Sequence, residues 1–295
     1  MLRQSLLQTF RGVAVGKTAT SDLKLGQKIH VLWLKMGDDG TASNGNAADV
    51  DATLVKLCKQ VRIMLNNKTQ RICSAVELNA LNSIYGAAYS VKTSGVAGTA
   101  GYRVYLPIFL AEIYRKTNAE VGRLAWNLVG VKDPQIEIDL GDGCNAPIVE
   151  GYYEWEPADT SAGIGGICKW VRQNVAVVGQ ELDIPLARKN FIQSVHFFPT
   201  AEASPKYVNK LKVTAGNDDV RAPLTTLDNQ AMLLAREFQP DVSSTPRFDY
   251  VIDYDDPINQ ALAADNLASL NAAVEMNGAA NGNMTVITQR VGAPD

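Results

Sequence analysis

Gln27-Lys28-Ile29-His30-Val31-Leu32 and Gln193-Ser194-Val195-His196-Phe197-Phe198 are two versions of one apolar stretch, 166 residues apart at the histidine. Other pairs follow in the same order. Phe10-Arg11-Gly12-Val13-Ala14-Val15-Gly16 answers Val171-Arg172-Gln173-Asn174-Val175-Ala176-Val177-Val178-Gly179, and Leu23-Lys24-Leu25 answers Leu182-Asp183-Ile184. Lys59-Gln60-Val61-Arg62-Ile63 answers Asn209-Lys210-Leu211-Lys212-Val213, and Ile136-Glu137-Ile138 can be laid on Met284-Thr285-Val286. The spacing falls to 150 at Val61 and Leu211, because the first half carries an extra polar loop at 37–50 that begins Gly37-Asp38-Asp39-Gly40. Repeats in one order, with the length change in a loop, indicate a duplicated domain. The expected halves are 1–150 and 151–295, with the seam in Gly141–Gly166, a stretch of six glycines and two prolines.

The pattern within each half is period two. Val61, Ile63 and Leu65 share one face of a strand, and Phe248, Tyr250, Ile252 and Tyr254 share another around Asp249 and Asp253. Asn66-Asn67 and Gly216-Asn217 sit where hairpins turn, since these residues tolerate positive φ. Two helices are expected. One opens at the capping box Thr117-Asn118-Ala119-Glu120 and runs through Val121, Leu124, Ala125 and Leu128. The other opens at Asp256-Pro257 and runs through Ala263, Leu267, Leu270 and Val274 to Asn277-Gly278. Short strands with one late helix per half predict an all-β chain of two tandem eight-stranded jelly-roll β-sandwiches, each with a short flanking helix. Strand–helix alternation and glycine-rich phosphate loops are missing, which excludes Rossmann and P-loop readings.

The chain has 295 residues, a net charge of −3, 46% hydrophobic residues, four cysteines and two histidines. That composition fits a globular protein with buried cores and excludes collagen-like or disordered classes. The longest apolar stretch, Val104 to Tyr114, is short and carries Glu112, so no helical membrane span is expected. A pI near 5.5 argues against a surface devoted to nucleic acid. Cys58, Cys73, Cys144 and Cys168 form no CxxC pair and have no nearby histidine; they read as reduced thiols. The acid-free start, with Arg3, Arg11 and Lys17, resembles a transit peptide, but its recurrence at 171–179 favours a structural arm with Leu2, Leu6 and Phe10 on one side.

Chemistry is sparse. His30 and His196 lie in apolar strands with no carboxylate near in sequence, and read as core or interface residues. Asp38-Asp39, Asp218-Asp219 and Asp253-Tyr254-Asp255-Asp256 lack the spacing of a dedicated calcium loop. A structural calcium between subunits is the one metal they leave open; no cofactor and no metal ligand are expected. No G-x-S-x-G elbow or nucleophile–base arrangement stands out, so no catalytic residue is expected. Tyr152-Tyr153-Glu154-Trp155 reads as packing between the halves, with a sugar platform as the other reading.

Several motifs resemble those of the double jelly-roll major capsid proteins of tailless icosahedral bacteriophages, corticoviruses above all, within the wider tectivirus and adenovirus lineage. They are Val13-Ala14-Val15-Gly16, Leu23-Lys24-Leu25-Gly26-Gln27, Val61-Arg62-Ile63-Met64-Leu65-Asn66 and Gln135-Ile136-Glu137-Ile138-Asp139-Leu140. The resemblance implies a non-enzymatic shell subunit. Three chains would form a homotrimer, a pseudo-hexameric capsomer of six upright barrels in an icosahedral virion, assembled in the host cytoplasm. Its partners would be neighbouring capsomers, other virion proteins and an internal membrane reached by the N-terminal arm, with no sequence-specific nucleic acid. The alternative is a bilobed jelly-roll protein that binds or hydrolyses glycans, using Glu150, Glu154 and Glu156.

Overall fold

A computed structural model describes residues 2–39, 50–85, 91–93, 102–112, 122, 124–161, 163–252 and 261–295. The chain divides into two compact units, Met1–Ile167 with Ala293–Asp295, and Cys168–Gly292.

In the first unit, β1 (Arg3–Leu6), β3 (Gln27–Asp38), β6 (Val91–Thr93), β7 (Tyr102–Phe109), β8 (Trp126–Asn127) and β10 (Pro147–Pro157) form one sheet. Its order is β1-β10-β3-β7-β6, with β8 also on β3. A second sheet has the order β2-β9-β4-β5, built from β2 (Thr18–Asp22), β9 (Gln135–Leu140), β4 (Cys58–Leu65) and β5 (Lys68–Cys73). Alternation explains both. Leu32, Leu34 and Met36 of β3, Val104, Leu106 and Ile108 of β7, Val61, Ile63 and Leu65 of β4, and Ile136, Ile138 and Leu140 of β9 are all buried. Strand β10, across which the 150/151 division falls, pairs along its length with β3, from Pro147↔Asp38 to Pro157↔Gln27.

In the second unit a seven-stranded sheet has the order β14-β13-β17-β12-β15. These are β14 (Asp218–Thr225), β13 (Val208–Ala215), β17 (Leu270–Gly292), β12 (Phe191–Phe197) and β15 (Phe248–Val251). In addition, β11 (Ile167–Pro185) pairs with β17, and β16 (Leu262–Ala263) with β12. Two stretches of the 23-residue β17 pair with different strands of the main path: Leu270–Met276 with β13, and Val286–Val291 with β12. In the first unit those two duties fall to separate strands, β9 on β4 and β10 on β3. By pairing, the counterpart of Ile136-Glu137-Ile138 is therefore Ala272-Ala273-Val274, not Met284-Thr285-Val286. The halves otherwise repeat in order: strand, hairpin, helix, strand.

The expected hairpin turns are present. Asn66 and Asn67 have φ of 54° and 60° between β4 and β5, and Gly216 has φ of 62° between β13 and β14. The helices differ from expectation. Among the described residues they are α1 (Val50–Leu57), α2 (Ala75–Ile84) and α3 (Thr226–Leu234). Both α2 and α3 follow directly on a hairpin and open with a capping box, Ser74 with Glu77 and Thr225 with Asp228. Half of the expected helix at 117–128 lies outside the described residues, and near its end Trp126–Asn127 is β8. The expected helix through Leu270 and Val274 is strand β17. There Leu270, Ala272, Val274 and Met276 are buried at period two, and the ladder offered by β13 overrides the helical preference of an alanine-rich stretch. Of the extra loop, residues 40–49 lie outside the described residues; α1 follows it and buries Leu54 and Leu57.

The arm is tied down. Arg3–Leu6 pairs with Tyr152–Trp155, Leu7 and Phe10 are buried, and Leu2 and Leu6 stay 51% and 82% exposed. Leu2, Leu6 and Phe10 therefore do not share a side. Gly151 makes the docking possible, because a Cβ there would lie 2.5 Å from the Trp33 carbonyl oxygen and 2.7 Å from Leu7 Cδ1.

Candidate functional site

Each histidine meets a carboxylate that is remote in sequence. In the first unit His30 is the extra residue of a β-bulge: Val31 faces Glu154, while Ile29 faces Trp155. Its Nε2 lies 3.2 Å from Glu156 Oε1, which also accepts from Lys28 Nζ at 3.0 Å. Burial pulls the imidazole below its ordinary 6.5, and Glu156 offsets this only in part. Burial raises the Glu156 carboxyl, but Lys28 and His30 together hold it below the usual carboxylate range.

The second unit holds a drier centre. His196 on β12 faces Asp249 on β15, and Nδ1 lies 2.7 Å from Asp249 Oδ1. The Arg247 guanidinium donates through Nε to the same oxygen. Full burial pushes the Asp249 carboxyl up, yet Arg247 and His196 carry it net below its ordinary value, so it stays ionised. On the other side of the ring, Nε2 lies 2.8 Å from Ser194 Oγ, whose one proton points to Gln289 Oε1 at 2.9 Å. The carboxylate at Nδ1 fixes the tautomer and leaves Nε2 facing the hydroxyl. From α3, Asn229 donates to the Asp249 backbone carbonyl at 2.9 Å; from α2, Asn82 does the same to Pro107 on β7 at 2.8 Å.

A nucleophile–base–carboxylate arrangement therefore exists, contrary to the expectation from sequence. It was hidden because Asp249 is 53 residues from His196 and reads as the outward residue of an alternating strand. Both faces of β15 are covered, and all four of its residues are buried. The legible part was Ser194-Val195-His196, two polar residues on one face of an apolar strand. Ser194, His196 and Asp249 are each at most 1% exposed, so nothing from solvent reaches the hydroxyl. The two centres occupy one register position. Lys28 faces Glu156 as a partly exposed ion pair in the first unit, and Ser194 faces Gln289 as a buried hydroxyl–amide pair in the second.

The other candidates are spent on structure. Glu150 pairs with Lys35 at 2.7 Å, and Glu154 accepts from Trp33 Nε1 at 3.2 Å. Together with Glu156 beside Lys28 and His30, each carboxylate of the proposed glycan cleft already serves a neighbour across β3. The aromatic cluster is likewise used within the first unit. Tyr152 stacks on Trp33 at 5.9 Å, Tyr153 is buried, and Trp155 bonds Ser5 beneath Arg3. Asp38 accepts from the Asn145 and Ala146 amides, Asp39 pairs with Arg103, and Asp219 pairs with Lys212. Asp253, Asp255 and Asp256 lie outside the described residues. Among the described residues no group of three His, Cys, Asp or Glu is placed to hold a metal. All four cysteines are buried thiols outside any disulfide.

The comparison with known proteins carries the identity. A family profile described as the viral coat protein P2 N-terminal domain matches residues 4–156, just over half of the chain. The chain belongs to the viral coat protein P2 family. It is a structural protein of the virion, and its fold is the double jelly roll. The major capsid protein P2 of bacteriophage PM2 superposes with a TM-score of 0.76 at 14% identity, covering 99% of this chain and 97% of its own. A capsid subunit of PBCV-1 virus gives 0.66 at 8% identity, covering 99% and 93%. A chain from the Sulfolobus turreted icosahedral virus gives 0.68 at 12%, covering 98% and 90%. A search of curated protein sequences finds no match.

Proposed function

We propose that this coat protein is the major shell-building subunit of an icosahedral virion and works as a homotrimer whose six jelly rolls form a pseudo-hexagonal tile. The observation that carries this reading is the duplication inside a coat-protein chain, with the hairpin–helix–strand order repeated in each compact unit. Two similar barrels per chain turn threefold symmetry into near-sixfold packing, and a closed ring of three needs only one pair of complementary patches, repeated at each interface. The reading keeps one jelly roll per half and gives the chain no role as an enzyme on an outside substrate. Function then resides in surfaces. The described chain leaves Leu6 exposed on β1 with Leu2 just before it, and Leu227 and Leu234 on α3 at 76% and 53%.

The arm, with Leu2 and Leu6 turned outward near Arg3 and Arg11, is assigned to contacts beyond the subunit, with a neighbouring capsomer or an internal membrane. Size measurement of the purified protein tests the tile. A stable species of three times the 31.9 kDa chain is expected, and a monomer at assembly concentrations refutes it. Changing Leu2 and Leu6 to serine should leave trimers intact and abolish shells. Deleting residues 1–12 is a harsher test, since it also removes the buried Leu7 and Phe10.

A further inference from the structure

We infer that Ser194 and Gln289 become joined by an intramolecular ester, formed by the buried His196–Asp249 pair acting on the protein itself. The residues stand directly opposite each other on the paired strands β12 and β17, with Ser194 Oγ 2.9 Å from Gln289 Oε1. The same Oγ lies 2.8 Å from His196 Nε2, the ring nitrogen turned away from Asp249. A hydroxyl, an imidazole and an ionised carboxylate in that order are the parts of an activated oxygen nucleophile. Such a centre normally awaits a substrate from solvent. Here the side chains are sealed in, with Gln289 only 4% exposed, and the acyl group within reach is the carboxamide of Gln289.

The step balances without an added reagent. The Ser194 hydroxyl turns its proton from Gln289 Oε1 to His196 Nε2, which takes it as Oγ bonds to Gln289 Cδ. The tetrahedral centre collapses, the Cδ–Nε2 bond of the amide breaks, and the proton on His196 passes to the departing nitrogen, which leaves as ammonia. The product is an ester linking strands that lie 95 residues apart in sequence. Loss of ammonia drives the step forward, and exclusion of water protects the ester from hydrolysis. His196 is the catalytic base. Asp249, held by Arg247, is a positioning residue that orients the ring. The first unit has no equivalent, because the matching register position holds the Lys28–Glu156 ion pair. The bond would lock β12 to β17 in the unit that carries the chain's longest strands.

Mass spectrometry of the full-length purified protein tests this directly. The intact chain is expected to be lighter than its sequence by one ammonia. After trypsin, Asn190–Lys206 and Phe248–Arg290 should travel as one branched species joined at Ser194 and Gln289. Ser194→Ala and His196→Gln should each restore the sequence mass and release two separate peptides. Two separate peptides from the unaltered protein, at unmodified mass, overturn the inference whatever the variants do. So does an ammonia loss that maps to Asn277-Gly278 instead. A branched peptide that persists in His196→Gln overturns the role given to the imidazole.

Discussion

Removing the Asp249 carboxylate should be among the most damaging single changes in the second unit. Asp249 accepts from His196 and Arg247 through one oxygen, and the three side chains are 0%, 0% and 4% exposed respectively. Asp249→Ala takes from the buried guanidinium and imidazole the carboxylate they share. Breaking a buried pair in this way costs about 3–5 kcal/mol, mostly as the penalty of the stranded charge. An exposed pair is the internal control. Arg11 and Asp22 are 64% and 37% exposed, and Asp22→Ala should cost about 0.2–1 kcal/mol. In a domain of this size the buried change corresponds to a fall in melting temperature of roughly 10 °C. Urea titrations of the full-length protein, followed by tryptophan fluorescence, would measure both. They should be run in a Ser194→Ala background so that the proposed ester does not enter the comparison. Asp249→Asn keeps the shape and an acceptor oxygen, and should fall between the two. If Asp249→Ala costs no more than Asp22→Ala, the assignment of a tightly coupled buried centre is wrong.

Gly151→Val should undock the arm, because the added carbons meet the Trp33 carbonyl and Leu7; limited proteolysis should then cut near residues 7–10, and an unchanged cleavage pattern would contradict the packing described. Acid should weaken the first unit in two steps. The folded His30 resists protonation, so stability is full above 6.5 and declines as pH falls below that value. Glu156 and Asp139 are held below their ordinary values, the latter by Arg62 and Thr18 against the opposing effect of burial, so their contribution is present above about 4.5 and is lost as pH falls through their folded values. Urea midpoints against pH check this: His30→Gln should flatten the upper step, Arg62→Met the lower, and profiles unaltered by either would refute it. Burial pushes the Cys58 thiol up to about 12, so iodoacetamide at neutral pH should label it only after unfolding.

The hairpins were legible because their information is local. Val61-Arg62-Ile63-Met64-Leu65 alternates, Asn66-Asn67 supplies two left-handed residues, and neither needs a distant partner to be understood. The helices were misread for the opposite reason. Leu267, Leu270 and Val274 satisfy a helical spacing while Leu270, Ala272, Val274 and Met276 satisfy a strand spacing, and only the presence of β13 alongside decides. The capping signals at Ser74–Glu77 and Thr225–Asp228 were equally local but short, and followed so closely on hairpin strands that the strand pattern masked them. The arm shows the same limit. Leu7 and Phe10 are core residues, yet only the glycine gap at Gly151 tells Leu7 from Leu6.

The chemistry was harder still, because it depends on which strands become neighbours. Aligning His30 with His196 correctly placed both inside matching strands. That alignment also sets Lys28 against Ser194, a pairing that sequence alone gives no reason to weigh. Once β10 and β17 lie alongside, those positions face Glu156 and Gln289, and the duplicated frame holds two different solutions to one steric problem. Near solvent, a cation and a carboxylate can share the site at little desolvation cost. In the interior a free charge at that position would be expensive, and a hydroxyl facing an amide satisfies the backbone geometry without one. Duplication preserved the ladder and let burial select the chemistry, which is why the reactive arrangement belongs to the drier of the two units.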